Sequence, residues 1–151
     1  MKVERIYTRK VLATTRGASL AEAASAMQRF SVGTLLVMDD AYPDGAPVGI
    51  VTDRDIALQG FASESSSVGS AMTPVVATVG EDADVHEALE LMRAHGVRRL
   101  VVTGRRGKVC GIVSIDDIVD GLSAELAAAA AVLKGEVRRD AAGLGEVKVG
   151  G

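Results

Sequence analysis

The chain says the same thing twice: Gly49-Ile50-Val51-Thr52-Asp53-Arg54-Asp55-Ile56 returns as Gly111-Ile112-Val113-Ser114-Ile115-Asp116-Asp117-Ile118. Each copy is a short β-branched run that ends in a hydroxyl residue, with an aspartate three positions later. A hydroxyl facing open backbone N–H groups can hold an anion, and a nearby carboxylate can accept hydrogen bonds from a sugar diol. The combination suggests a nucleotide. The repetition also extends well beyond the motif. Leu20 to Met27 aligns with Val85 to Met92, and Val32 to Val37 with Val97 to Val102. The offset is 65 in the helix and 62 at the hydroxyl, so the first copy carries three extra residues between. They fall in Asp39 to Pro47, a turn-rich stretch where insertions cost little.

Duplication bounds the architecture. Two copies of about sixty residues fit a 151-residue chain, and units that small bury too little surface to be stable alone, so the copies should share one core. A formal net charge of −3 argues against coating a nucleic-acid backbone. Arg98-Arg99, Arg105-Arg106 and Arg138-Arg139 then read as solvated turns or faces. The single cysteine, Cys110, excludes an intramolecular disulfide and a cysteine-rich zinc site, and its apolar neighbours suggest a buried thiol. Met1 to Arg5 leads into no signal-type apolar stretch, and the longest small-apolar run, Ala127 to Leu133, is far short of the ~20 residues that span a bilayer. No membrane role is expected, and the cytoplasm is the natural compartment.

Hydrophobic periodicity predicts a helix over Leu20 to Phe30, with Ser19 and Glu22 forming a capping box. Strands follow at Thr34 to Met38 and Val48 to Val51, and a helix from Ile56 that Gly60 closes. The order repeats: Asp84 caps Val85 to His95, Gly96 ends that helix, Leu100 to Thr103 pairs with Val109 to Val113, and Ile115 opens a helix. Short extended segments at Val11-Leu12 and Val75-Val76 precede the two units. The organisation expected is a repeat over 1–62, a linker over 63–70, a repeat over 71–122, a separate helix over 123–139 capped by Ser123, and a frayed tail over 140–151.

These features together resemble a tandem pair of CBS domains, the Bateman module, over residues from about 6 to 122. The resemblance rests on both Gly-Ile-Val-[Thr/Ser]-x-x-Asp segments, on Ala71-Met72-Thr73-Pro74, and on Gly96 to Val102. It implies an α/β (α+β) fold of two β-α-β-β-α repeats packed face to face with pseudo-two-fold symmetry. It also implies a disc-like homodimer and a regulatory protein that senses adenosine nucleotides (AMP, ADP or ATP) without a required cofactor and signals to an unknown protein partner. By position, Asp55 would take the ribose hydroxyls, Thr52 the phosphate and Ile50 the base, with Met72, Ala77, Val97 and Arg98 as the opposite wall. The second pocket would combine Ile112, Ser114 and Asp117 with Tyr7, Leu12, Val32 and Gly33. Arg54 beside Thr52, with Arg98 across from it, favours the first pocket for phosphate. In the second, Asp116 and Gly33 stand at the equivalent positions.

Other readings of the same residues stay open. Thr52-x-x-Asp55 and Ser114-x-x-Asp117 also satisfy a helix capping box, although that box favours the longer Glu or Gln. Tyr7 could fill the second pocket, leaving a ligand-free dimerisation module. An enzyme has little support: His86 and His95 lie too far apart for metal spacing, and no nucleophile or phosphate-loop motif is present. Nucleic-acid binding would need a steep salt dependence.

Overall fold

Ser19 and Asp84 each start an eleven-residue helix, α1 (Leu20–Phe30) and α4 (Val85–His95). The Ser19 hydroxyl accepts from the Glu22 N–H while the Glu22 carboxylate accepts from the Ser19 N–H, closing the expected capping box. Asp84 accepts from the His86 N–H. Both helices end on a left-handed residue, Ser31 (φ 53°) and Gly96 (φ 64°). Only the second end uses the residue type that adopts this conformation without steric cost.

The computed structural model describes residues 1–59, 66–75 and 77–141, so the closing role of Gly60 and the tail from 142 lie outside the described residues. Two compact units, Met1–Ile115 and Asp116–Gly151, divide the chain. In the first, β1 (Leu12–Thr15) runs parallel to β2 (Thr34–Met38). That strand pairs antiparallel with β3 (Gly49–Thr52), and β3 with the two-residue β4 (Thr73–Pro74). The second sheet repeats the order with β5 (Thr78–Gly80), β6 (Arg99–Thr103) and β7 (Val109–Ser114). The short helix α2 spans Asp53–Gln59. This is the mixed α and β fold of two like repeats that the duplication implies.

Alternation along the strands gives each sheet two buried faces. Leu35, Val37 and Val51 face the helices of their own repeat and pack with Leu20, Ala23, Met27 and Val68. Leu36 and Ile50 point the other way and meet Val101 and Ile112 of the second sheet. The repeats therefore share a core through their sheets, as their small size requires.

Their leading segments are exchanged. Val3 and Glu4 donate backbone N–H groups to the carbonyls of Ala83 and Glu81, and Thr8 and Ile112 exchange both hydrogen bonds, so the N-terminus completes the second sheet. In return, helix α3 (Val68–Ala71) packs on the first repeat, where Val68 and Gly69 donate to the carbonyls of Ala18 and Arg16, and β4 completes the first sheet.

Several expectations are corrected. Residues 68–70, read as the end of the linker, belong to the helix Val68–Ala71, because Val68 is fully buried there. The extended segment before α4 is Thr78–Gly80, because pairing with β6 and not local propensity decides it. A break at Ser123 is absent: α5 runs without interruption over Ile115–Ala141, two residues past the expected end of the helix at 139. Cys110 is half-buried, with its thiol against the Lys108 carbonyl at 3.5 Å. Arg99 is half-buried in β6 and not on a solvated face.

Candidate functional site

Thr52 is the one buried polar or charged side chain among the described residues, 7 % exposed. It ends β3 on the face that carries Ile50, toward the second sheet. Three residues on, Asp55 sits in the first turn of α2. Its Oδ2 accepts from the Thr52 N–H at 2.9 Å, and its own N–H donates to the Thr52 hydroxyl at 3.2 Å. The shorter aspartate therefore does close a reciprocal cap. A carboxylate offers about four lone-pair sites and the cap uses one of them, while the hydroxyl keeps its proton to donate. Capping fixes both rotamers and leaves chemistry for a diol and an anion.

Register adds two residues that the linear motif did not reveal. Thr34 stands directly across from Thr52, and Arg99 directly across from Ser114. Antiparallel partners have Cβ atoms only ~5 Å apart on one face. A guanidinium thus begins one strand away from the second hydroxyl, at the place where the first has a threonine. The available signal was the alignment of Val32-Gly33-Thr34 with Val97-Arg98-Arg99, read one residue further along each strand.

The wall residues distribute differently from the expected pockets. The Gly33 carbonyl accepts from the Asp53 N–H at 3.0 Å, and the Arg98 carbonyl from the Ile115 N–H at 2.9 Å. The main chain of each therefore lies beside the motif of its own repeat. Leu12, Val32 and Met72 pack together on the core of the first repeat. Tyr7 is buried and Ile112 lies in the shared sheet-to-sheet core, next to the Thr8 bridge. Ala77 and Val97 are half-buried at the starts of β5 and β6, and Arg54 is exposed, its N–H on Asp53 Oδ1 at 2.8 Å. Ser114 ends β7, and Asp117 lies in the first turn of α5.

Glycine at the head of each motif has a tertiary cause. A Cβ on Gly49 would collide with the Met72 thioether and stand 3.1 Å from the Thr73 carbonyl. On Gly111 it would strike the Thr8 carbonyl and stand 2.7 Å from the Tyr7 ring. The exchanged segments cross the sheets at these two points. Met72 and Tyr7 are thus counterparts, one over each motif strand.

Tyr7 also has a polar end. Its hydroxyl donates to Glu81 Oε2 at 3.2 Å, and the Arg9 guanidinium lies 4.3 Å from its ring centroid. Burial, and then the bond to Glu81, raise its pKa above the usual tyrosine value of about 10, against the opposing pull of Arg9. The folded chain thus holds this proton more tightly than the unfolded chain. The stabilisation is complete below the unfolded value, near pH 10, and is lost as pH rises through the higher folded pKa. Urea titrations between about pH 9 and 11 should show that loss in the wild type and a smaller one in Tyr7→Phe; equal slopes would exclude Tyr7 as the source.

Among the described residues, no group of three or more His, Cys, Asp and Glu side chains could hold a metal ion, and no helix is long and apolar enough to cross a membrane.

Two like repeats, joined sheet to sheet with their leading segments exchanged and each hairpin ending on a hydroxyl, define a duplicated Bateman-type module. The chain belongs to the CBS domain family, whose model matches residues 3–59 and 68–124. It is 38% identical over 122 residues to an uncharacterized 17.7 kDa protein of Acidianus ambivalens, covering 80% of this chain and 73% of that one. It is 44% identical over 101 residues to the uncharacterized protein YlbB of Bacillus subtilis, covering 64% of this chain and 66% of that one. An inosine-5'-monophosphate dehydrogenase of Methanocaldococcus jannaschii matches at 30% identity, over 78% of this chain but 23% of its own length, through its CBS region. Among solved structures, a CBS domain pair in complex with 5'-methylthioadenosine and S-adenosyl-L-methionine superposes with a TM-score of 0.67 at 26% identity, covering 83% of this chain and 98% of that one. A CBS domain protein from Pyrobaculum aerophilum complexed with AMP gives 0.63 at 25% identity, covering 78% and 89%.

Proposed function

We propose that this chain is a regulatory, non-catalytic module that binds an adenosine nucleotide at the Thr52/Asp55 motif and passes occupancy on through a change in packing. The observation that carries the reading is Thr52 itself: a hydroxyl buried on the sheet-to-sheet face, its rotamer fixed by a carboxylate that still has lone pairs to offer. Asp55 takes the ribose hydroxyls, Thr52 and Arg54 the phosphate, and Ile50 lies against the base. The relatives solved with AMP, and with 5'-methylthioadenosine and S-adenosyl-L-methionine, support an adenosine ligand.

The second motif, Ser114 with Asp117, is the weaker phosphate site in this reading. Asp116 replaces Arg54 there, although Arg99 opposite Ser114 narrows the difference. The protein acts as a cytoplasmic homodimer, and a ligand shifts its packing only by its differential affinity for two arrangements. A second reading, a ligand-free structural module, is favoured by Tyr7, which lies over Gly111 with its hydroxyl already satisfied.

Thermal unfolding with AMP, ADP, ATP and S-adenosylmethionine separates the two. A ligand at about a hundred times its Kd stabilises by about 2.7 kcal/mol, which raises the midpoint by several degrees. No response to any member of the panel would leave the structural reading standing.

A further inference from the structure

The hairpin that joins β6 to β7 carries three cations in four residues, Arg105, Arg106 and Lys108, all exposed, and no carboxylate. The equivalent hairpin of the first repeat, over 39–47, carries three carboxylates and no cation. Two of those acids serve their own turn: Asp39 Oδ1 accepts from the Ala41 N–H and Asp40 Oδ2 from the Gly17 N–H, both at 2.9 Å. The cations have no such task. Among the described residues, none of the three makes an ion pair or a hydrogen bond through its side chain. Arg106 is also held at φ 62°, ψ 22°, in the left-handed region. It is the third residue of the turn that the Gly107 N–H closes on the Gly104 carbonyl at 3.2 Å, a place where glycine or asparagine fits without strain. The hairpin therefore keeps an arginine where its own geometry asks for glycine, and strain of that kind persists where a side chain is used. We infer that this hairpin docks an acidic segment of a protein partner.

Charge and extent select that occupant. Two guanidinium forks match carboxylates in bidentate pairs, and the adjacent ammonium adds a third donor group. The carboxylate beside the base of the hairpin, that of Glu81, is half-buried and accepts from the Tyr7 hydroxyl. A nucleic-acid strand needs cations repeated along its length. This patch ends within one turn, on a chain of formal net charge −3. A membrane contact wants apolar side chains as well, and the sequence Gly-Arg-Arg-Gly-Lys has none. The hairpin lies at the end of β7 opposite Ser114, so the inference goes beyond the nucleotide reading and does not rest on it.

Fluorescence anisotropy of a labelled hexaglutamate peptide, titrated with the full chain at low ionic strength, should show saturable binding that weakens with added salt. Arg105→Glu combined with Arg106→Glu should weaken it about tenfold or more, with the thermal midpoint kept. Arg106→Gly should weaken it about threefold while the midpoint is kept or raised, because glycine relieves the turn. Arg29→Glu combined with Arg93→Glu makes the same change in net charge at exposed sites on α1 and α4, and should leave the affinity within about twofold. Equal losses in the two double variants, or no peptide binding at millimolar concentration, would overturn the site. A hairpin-dependent affinity higher for duplex DNA or for phosphatidylserine vesicles than for the peptide would overturn the choice of partner. Asp55→Ala should lose the nucleotide response and keep the peptide, which separates failure of one reading from failure of the other.

Discussion

Gly111→Ala lowers the unfolding free energy by about 3 kcal/mol or more, a fall of roughly 10 °C in midpoint for a chain of this size. The added methyl has nowhere to go, because the Thr8 carbonyl and the Tyr7 ring occupy its place. A backbone carbonyl cannot rotate aside like a side chain, so the N-terminal segment at Tyr7 and Thr8, a strap across β7, must lift. Lifting it loses the two hydrogen bonds between Thr8 and Ile112, each worth about 1 kcal/mol, and loosens the contact of Tyr7. Overpacking of about 1–3 kcal/mol adds to that loss. Gly135→Ala is the control: nothing lies within 4 Å of its would-be Cβ, and alanine in a helix interior gains up to about 1 kcal/mol. Chemical denaturation of both variants decides the matter. A Gly111→Ala protein within about 1 kcal/mol of wild type would mean that the strap does not sit on β7 in solution.

The second large effect is functional and turns on one methylene. Asp55→Ala removes both the cap partner of Thr52 and the ribose acceptor. Its nucleotide-induced thermal shift should vanish, with affinity lower by about ten- to a hundredfold, the equivalent of 1.5–3 kcal/mol for bonds to a charged acceptor. Its stability should also fall by about 1 kcal/mol with the capping contact. The alanine variant alone cannot separate these roles, but Asp55→Glu can. Glutamate is the preferred third residue of a capping box, so stability should be retained or improved. The longer side chain nevertheless displaces the carboxylate from a diol that the aspartate would reach, so the nucleotide shift should still be lost. Were Asp55→Glu to respond to nucleotide like wild type, the aspartate would be a cap and nothing more. Calorimetry on Asp117→Ala in parallel tests the ranking of the two motifs, which reverses if only that variant loses binding.

What was legible in the sequence was local. Ser19 with Glu22, Asp84, and Gly96 mark helix ends by chemistry that acts within four residues, and α1 and α4 begin and end where those signals fall. Alternation and the turn-rich Asp39 to Pro47 stretch located the hairpin of the first repeat for the same reason. The motif's capping geometry, by contrast, was left open by the sequence. Aspartate is a poor choice for the box in general, and only the sharp turn from β3 into α2 brings Asp55 close enough to reach back to Thr52.

Two of the misplacements have non-local causes and one a local cause. Residues 68–70 look like linker because their helix is held by contacts with Arg16 and Ala18, about fifty positions away. Arg99 looks like half of a solvated arginine pair until antiparallel register sets it across from Ser114. The long helix α5 has no break at Ser123, because serine within a helix costs only a few tenths of a kcal/mol and nothing there opposes propagation.

The doubled Gly-Ile-Val-[Thr/Ser]-x-x-Asp segment determined by itself that the chain is two like units, because a repeat of that length fixes the order of its elements twice over. Only the tertiary structure decided why each segment begins with glycine and which residues surround its hydroxyl. Both answers come from strands and straps that arrive from elsewhere in the chain, and no local pattern records their approach.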